Sequence, residues 1–410
     1  MNVFTLSWSY LKAKPLHTIL NIVLLGLGVS VITLILLFNN QLGKKITENS
    51  KGIDLVVGAK GSPLQLILCN IFHIDFLTGN INLQEAEKLS SHRLVKWAIP
   101  LALGDSYQGY RIVGSTKAYV DHYEGELAEG FWWQNDLEVN VGYEVAKKLK
   151  LELGSTFYSA HGLTTESSDH NEHGYVVKGI LKKNNTVLDQ LIFTNIGSVW
   201  QVHDHSEADR SNVGSPSKLI PGLVLSDSTK EITALLIKYQ NPIAAIQLPR
   251  FINTQTSMQA ASPAFETARL FSILGIGADV LLGFAYVIVF ISALSIFIAL
   301  YNSLKERKYD LAIMRSMGAS KATLVKTIFL EGCSLTLIGS VFGLALGHLA
   351  LLLFAGFIED ADQMGLSATV FITEEWLILA ASLLLGLLCS ALPSWQAYRT
   401  DIHKVLAGNG

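Results

Sequence analysis

Residues 304–326 read LKERKYDLAIMRSMGASKATLVK, a charged stretch lying between two long apolar segments. Six basic side chains fall in it, Lys305, Arg307, Lys308, Arg315, Lys321 and Lys326, around a Met317-Gly318 break. Short loops rich in Lys and Arg stay on the cytoplasmic side of a membrane, so the stretch reads as a loop joining two membrane helices. From Lys305 to Met317 the spacing predicts a short helix along the membrane surface, with Leu311, Met314 and Gly318 on one side and Ile313 with Met317 on a neighbouring stripe. Gly318 supplies a flexible stop, and Ser320 can cap the helix that rises next. The stretch is either an amphipathic linker whose cations only set topology or a docking element for a cytoplasmic protein.

Composition supports the membrane reading. The 410 residues are 50% hydrophobic and 16% charged, against roughly 25% charged in an ordinary soluble domain. A net charge of −3 recommends no nucleic-acid partner, so any electrostatic argument is local. The three cysteines, Cys69, Cys333 and Cys389, lie far apart and form neither a disulfide framework nor a zinc spacing.

Four apolar segments are long enough to span. The first, Leu16 to Phe38, holds no acid and no Lys or Arg, and at 1.5 Å per residue it covers roughly 35 Å. No small-residue cleavage site follows it, so a retained helix is expected rather than a signal peptide. The others run about 272–302, 326–357 and 376–396. The predicted fold is therefore a membrane protein of four transmembrane helices, with a large extracytoplasmic mixed α/β domain inserted between the first and second. Residues 1–40 are an N-terminal amphipathic segment and first span, 41–268 the α/β domain, and 269–410 the remaining spans, with the surface helix at about 304–318.

Orientation follows from loop charge. Residues 355–375, AGFIEDADQMGLSATVFITEE, contain no Lys or Arg and five acids, so this loop is external and the basic one cytoplasmic. Both chain ends are then cytoplasmic and the large domain outside. Lys44, Lys45 and Lys51 run against this, but long translocated domains obey the rule poorly.

Within the large domain, INLQEAEKLSS has helical spacing, VKWAIPLAL and GYRIVGST read as strands around the turn GDSYQ, and GYEVAKKLKLELG reads as a helix stopped by its glycine. YVVKGILKK, DQLIFTN and EITALLIKYQ are expected strands and IGSVWQVH a helix, while Asn241 and Pro242 open another. Residues 203–217 are polar and turn-rich, which predicts a loop. Gly58 to Ile81, with a lone His73, reads either as a surface flap beside the membrane or as an apolar underside packing on the spans.

No G-x-x-x-x-G-K-[ST] loop occurs, and GAKGSPLQ (58–65) lacks the Lys-Ser/Thr ending that holds phosphate and magnesium. H-E-x-x-H and G-x-S-x-G are absent too, and HNEH (170–173) has the wrong spacing for a zincin. A membrane enzyme is therefore not expected. His161, His170 and His173, with His203 and His205, gather five of the 11 histidines in two polar stretches beside Asp169, Glu172 and Asp204. Such a set suits Zn, Cu or Ni, or is simply what polar loops accumulate.

ERKYDLAIMRSMGASKATL (306–324) resembles the signature cytoplasmic loop of the MacB/LolC/FtsX-like permeases, the type VII ABC transporters. The closing ALPSWQAYRTDIHKVLAG (391–408) is similar to that family's terminal element, with Ile402 where proline is usual, and the order of one span, outer domain and three spans is the family's layout. The likeness is strongest over 270–410. It implies a permease that is not itself an enzyme and binds no cofactor of its own, working with a separate cytoplasmic ATPase that holds ATP and magnesium, two copies of each. The surface helix would be the coupling helix gripped by the ATPase, which places Glu306, Arg307, Asp310, Arg315, Gly318 and Ser320 in that contact. The large domain would divide into a porter-like unit, about 80–120 plus 230–265, and an inserted unit, about 121–229. Its motion would be driven through the first and second spans, for export or extraction of a lipoprotein, lipid, peptide or metal-linked substrate, with a periplasmic adaptor or binding protein as a further partner. The alternative is a signalling scaffold that activates an outer partner such as a cell-wall hydrolase.

Gly332, Gly339, Gly343 and Gly347 line one face of the third span and predict close helix packing, within the chain or with a second copy, within the chain being the expectation. Asp279 and Glu331 are read as acids near the membrane boundary rather than as proton or ion sites.

Overall fold

The computed structural model describes residues 3–74, 76–161, 174–203, 230–357 and 366–399, with the side chains of 161, 203, 274 and 357 left aside. The chain forms two compact units, a helical one (Met1–Gly43 with Leu274–Gly410) and an α/β one (Lys44–Ile273). In chain order, α1 (Val3–Ala13) and α2 (Pro15–Ser50) lead to β1 (Leu55–Ala59), α3 (Pro63–Asn70), β2 (Ile81–Asn82), α4 (Leu83–Ser90), β3 (Val95–Tyr107), β4 (Tyr110–Ser115) and α5 (Lys117–His122). There follow β5 (Leu127–Gly130), β6 (Glu138–Val141), α6 (Tyr143–Leu149), β7 (Thr156–Phe157), β8 (Ala160–His161), β9 (Tyr175–Leu181), a 3-10 turn (Val187–Gln190), β10 (Ile192–Thr194) and α7 (Ile196–His203). The rest comprises β11 (Glu231–Ile232), β12 (Ala234–Tyr239), α8 (Ala244–Gln255), β13 (Met258–Ala261), α9 (Pro263–Glu306), α10 (Lys308–Ser316), α11 (Lys321–Phe357) and α12 (Glu374–Arg399).

Among the described residues, the α/β unit is built on a sheet in the order β13-β1-β12-β3-β4-β10-β6-β9-β5. Side chains alternate across its strands. Val56, Leu101, Leu103, Val113 and Leu236 pack with α3 and α5 through Leu66, Ile67, Tyr119 and Val120. Leu55, Val57, Ala102, Leu235 and Ile237 face the other way, onto Leu83, Ala86, Val199, Leu248 and Ile252 of α4, α7 and α8. Helices thus cover both faces, which is why these strands are apolar throughout instead of alternating with polar residues. The parallel β10–β4 pair carries the sheet on to β6 and β9, where Val139, Val141, Val145, Phe157, Tyr175 and Val177 form a separate cluster.

Two local readings are corrected. The expected GDSYQ turn is mostly strand: β3 runs to Tyr107 with Asp105 and Ser106 buried, and the chain reverses at Gln108 and Gly109, both at positive φ (47° and 83°). Two left-handed residues match the twist of a hairpin, and glycine takes that conformation freely. The helix expected to stop at Gly154 stops at Lys150, which is itself left-handed at φ 53°. Within the 58–81 segment Ser62 caps α3 over Pro63, and Leu66, Ile67 and Cys69 are buried in the unit's own core. His73 follows at φ 58°, its Nε2 2.9 Å from the Tyr119 hydroxyl, and burial pushes its pKa down to about 3. Asn241 Oδ1 accepts from the Ala244 amide at 3.1 Å, in the turn that leads into α8, whose N-cap is Ile243.

In the helical unit, α2, α9, α11 and α12 are long and apolar enough to cross a membrane. The glycines of α11 sit where other helices come close. A Cβ on Gly343 would lie 2.6 Å from Val29 and 2.7 Å from the Gly26 carbonyl, and one on Gly347 2.8 Å from Thr33. Gly339 meets Leu25, so three of the four glycines face α2. Gly332 instead faces Gly386 of α12, where a Cβ on either would come within 3.0 Å of the other's carbonyl oxygen. In lipid no hydrophobic force draws helices together, so small residues and interhelical polar contacts do that work. Ser295 donates to Asn21 at 2.7 Å between α9 and α2, and Cys389 to the Ala293 carbonyl at 3.3 Å between α12 and α9.

Candidate functional site

The elbow between α9 and α11 is built by two chain breaks. Arg307 leaves the helical region (φ −95°, ψ 9°), which ends α9 and starts α10 in a new direction. At the other end Gly318 takes φ +99° with open space around it, so the backbone, not crowding, requires glycine. The Gly318 amide bonds the Arg315 carbonyl at 3.1 Å and the Ala319 amide the Met314 carbonyl at 3.0 Å. That pair of bonds is a Schellman close, and Ala319 packs in the same apolar cluster as Met314, the contact that accompanies it. Ser320 then accepts from the Thr323 amide at 3.1 Å and caps α11.

Two sides of α10 differ. Leu311 and Met314 are buried with Leu304, Leu324, Ile328 and Ala397, with Leu6 of α1 against them. Facing outward are Tyr309 (58% exposed), Ile313 (36%) and Met317 (72%), spaced four apart, with Lys308, Asp310 and Ser316 around them. The stripe was half visible in the sequence as Ile313 with Met317. Tyr309, one turn earlier, was missed, though the spacing of four continues to it.

The six residues placed at the coupling contact do not share one environment. Asp310, Gly318 and Ser320 are exposed and Arg315 is half-buried. Glu306 is exposed and ion-paired with Lys14. Arg307 turns inward: its side chain is 13% exposed, NH1 lies 3.4 Å from Oε2 of buried Glu331, and its guanidinium sits 3.8 Å from the centre of the Tyr10 ring. Burial raises the Tyr10 phenol above its ordinary pKa, so the ring over Arg307 is neutral. Tyr10, Lys14 and the pairing of Glu331 were not visible in the sequence. Of the acids read as interfacial, Asp279 is exposed and Glu331 is buried in this ion pair.

The histidine set falls mainly outside the described residues: His170, His173 and His205 entirely, and His161 and His203 in their side chains. Among the described residues no three His, Cys, Asp or Glu side chains converge as a metal site would need.

Residues 282–402 match the family model "FtsX-like permease C-terminal", a span that includes α10 and both of its closing breaks. Among solved structures, the chain is similar to the periplasmic region of MacB from Actinobacillus actinomycetemcomitans, at 13% identity and TM-score 0.33, covering 55% of this chain and 97% of that one. It is also similar to the extracellular domain of the noncanonic ABC-type transporter YknZ from Gram-positive bacteria, at 13% identity and TM-score 0.29, covering 51% and 98%. No curated protein matches. The structural likenesses are distant, and the family rests on the C-terminal match. Permeases of the matched kind are membrane components of ABC systems, generally non-catalytic, that work with a cytoplasmic ATPase. Four helices long and apolar enough to cross a membrane, together with the C-terminal match, point to an inner-membrane protein. Over residues 282–402, about three-tenths of its length, the chain is similar to the C-terminal part of FtsX-like permeases.

Proposed function

We propose that the chain is the permease of a type VII ABC complex in which α10 is gripped by the ATPase, two copies of each subunit working together with both chain ends in the cytoplasm. The observation that supports this is the Tyr309–Ile313–Met317 stripe: an exposed, largely apolar knob on a short helix fixed at both ends, with Lys308, Asp310 and Ser316 beside it. Three such side chains on a rigid turn fit a partner's groove, and Lys308 would meet an acidic rim. ATP and magnesium belong to the partner. The α/β unit, working as a porter-like part (80–120 plus 230–265) and an inserted part (121–229), would move with the ATPase cycle to export or extract a lipoprotein, lipid, peptide or metal-linked substrate. A zinc or related ion held by His161, His170, His173, His203 and His205 would mark the last class, and equilibrium dialysis of the full chain with zinc, expecting one ion per chain, tests it.

Co-purification with the ATPase in lipid nanodiscs tests the central reading. Met317→Arg, which charges the knob, and Gly318→Pro, whose ring cannot take φ +99°, should each abolish stimulated ATP turnover, and Arg315→Glu should weaken it. Unchanged turnover in all three would reduce the elbow to a topology signal.

A further inference from the structure

The elbow is anchored from an unexpected quarter. Arg307 is the residue at which α9 becomes α10, so whatever holds its side chain sets the direction in which α10 leaves. Two partners hold it: Glu331, on α11 beyond the elbow, against the guanidinium edge, and Tyr10, on the helix before the first span, against its face. A planar guanidinium suits this double use, because edge and face offer separate contacts that a lysine could not supply together. α1 adds further tethers. Lys14, just after it, pairs with Glu306, the residue before the break, and the Tyr10 hydroxyl lies 4.0 Å from Met314 Sδ on the buried side of α10. Leu6 packs on the cluster that seats Leu311 and Met314. Tyr10, Arg307 and Glu331 line one crevice with Ser303 and Thr327.

We propose that α1 and Glu331 are positioning elements of the elbow, holding α10 at a fixed angle through Arg307 so that a push on the exposed knob moves the membrane helices instead of bending the loop. The proposal rests on the reading of α10 as the ATPase contact and assigns to the N-terminal helix a part in coupling. Arg307 then acts from inside, and the partner meets Tyr309, Ile313 and Met317. Severing a hinge of this kind loosens transmission without removing the docking surface.

The test uses the full chain with its ATPase in nanodiscs and reads three quantities: affinity between the subunits, maximal stimulated ATP turnover, and the mobility of a spin label at position 316. Tyr10→Leu and Glu331→Gln should leave affinity within about threefold while turnover falls roughly tenfold, the scale of one desolvated cation–π or ion-pair contact, and the label should become more mobile. Tyr10→Phe, which keeps the ring face, should retain the coupling that Tyr10→Leu loses, whereas Arg307→Lys, which cannot offer edge and face together, should lose it. Unchanged turnover and label mobility in Tyr10→Leu and Glu331→Gln, or full coupling in Arg307→Lys, would overturn the proposal. Met317→Arg separates the two readings. If it leaves affinity intact the docking reading fails, whereas the label still reports whether Tyr10 and Glu331 hold the elbow.

Discussion

The α/β unit and the helical unit keep their shapes by opposite means. In the first, long-range strand pairs bring large apolar side chains out of water: Leu55, Val57, Leu236 and Ile237 are fully buried. In the second, comparable side chains such as Phe284, Phe290, Leu377 and Leu388 lie on the outside. There the close contacts are made by glycine, as at Gly343 on α2 and Gly332 on Gly386. Water drives the one and steric fit the other, so a given substitution should have different consequences in the two units.

The widest swing should come from pH, in the α/β unit. His73 is buried with its pKa depressed to about 3, and burial also lowers that of His122, against the opposing hydrogen bond to the Lys51 carbonyl. An unfolded chain binds protons below its ordinary histidine pKa while the folded one does not, so stability is intact above about 6.5 and falls as pH drops toward 3. The upper limit for His73 is roughly 5 kcal/mol, at about 1.4 kcal/mol per pH unit. His73→Asn, which tolerates the left-handed backbone and does not titrate, should flatten the slope in unfolding followed by tryptophan fluorescence. An unchanged slope would show that His73 is not kept neutral by the core.

Next in size, Leu236→Ala should cost the α/β unit about 2–5 kcal/mol by leaving a cavity. The same change at Leu388, which lies on the outside of the helical unit, should stay within about 0.5 kcal/mol in detergent unfolding. Between them lies Gly343→Val, with an expected cost of roughly 1–3 kcal/mol from overpacking against Val29 and the Gly26 carbonyl. It should show as loss of a disulfide engineered between α2 and α11. If Leu388→Ala proved as damaging as Leu236→Ala, the contrast between water-driven and fit-driven packing would collapse.

What could be read beforehand follows the same division. Spans are local objects, fixed by length and polarity, and the basic elbow with its Gly318 stop is written within about twenty consecutive residues. The glycine face was legible because a spacing of four needs no knowledge of the partner, but that three glycines meet α2 and the fourth α12 was not. The sheet was beyond reach: Leu55 pairs with Ile237 and Ile192 with Ile112, and strand order depends on such distant partners. The elbow's anchor was hidden for the same reason, since Tyr10 and Met314 stand 304 residues apart in sequence. Arg307 matched a motif and was therefore placed at the partner contact, although a motif names a residue without saying which way its side chain turns.

The most direct test is a photocrosslinking amino acid at position 317 in living cells. The account predicts a covalent adduct between this chain and an ATP-binding protein on the cytoplasmic side of the membrane. Adducts confined to proteins of the outer compartment, with none to an ATP-binding partner, would contradict it.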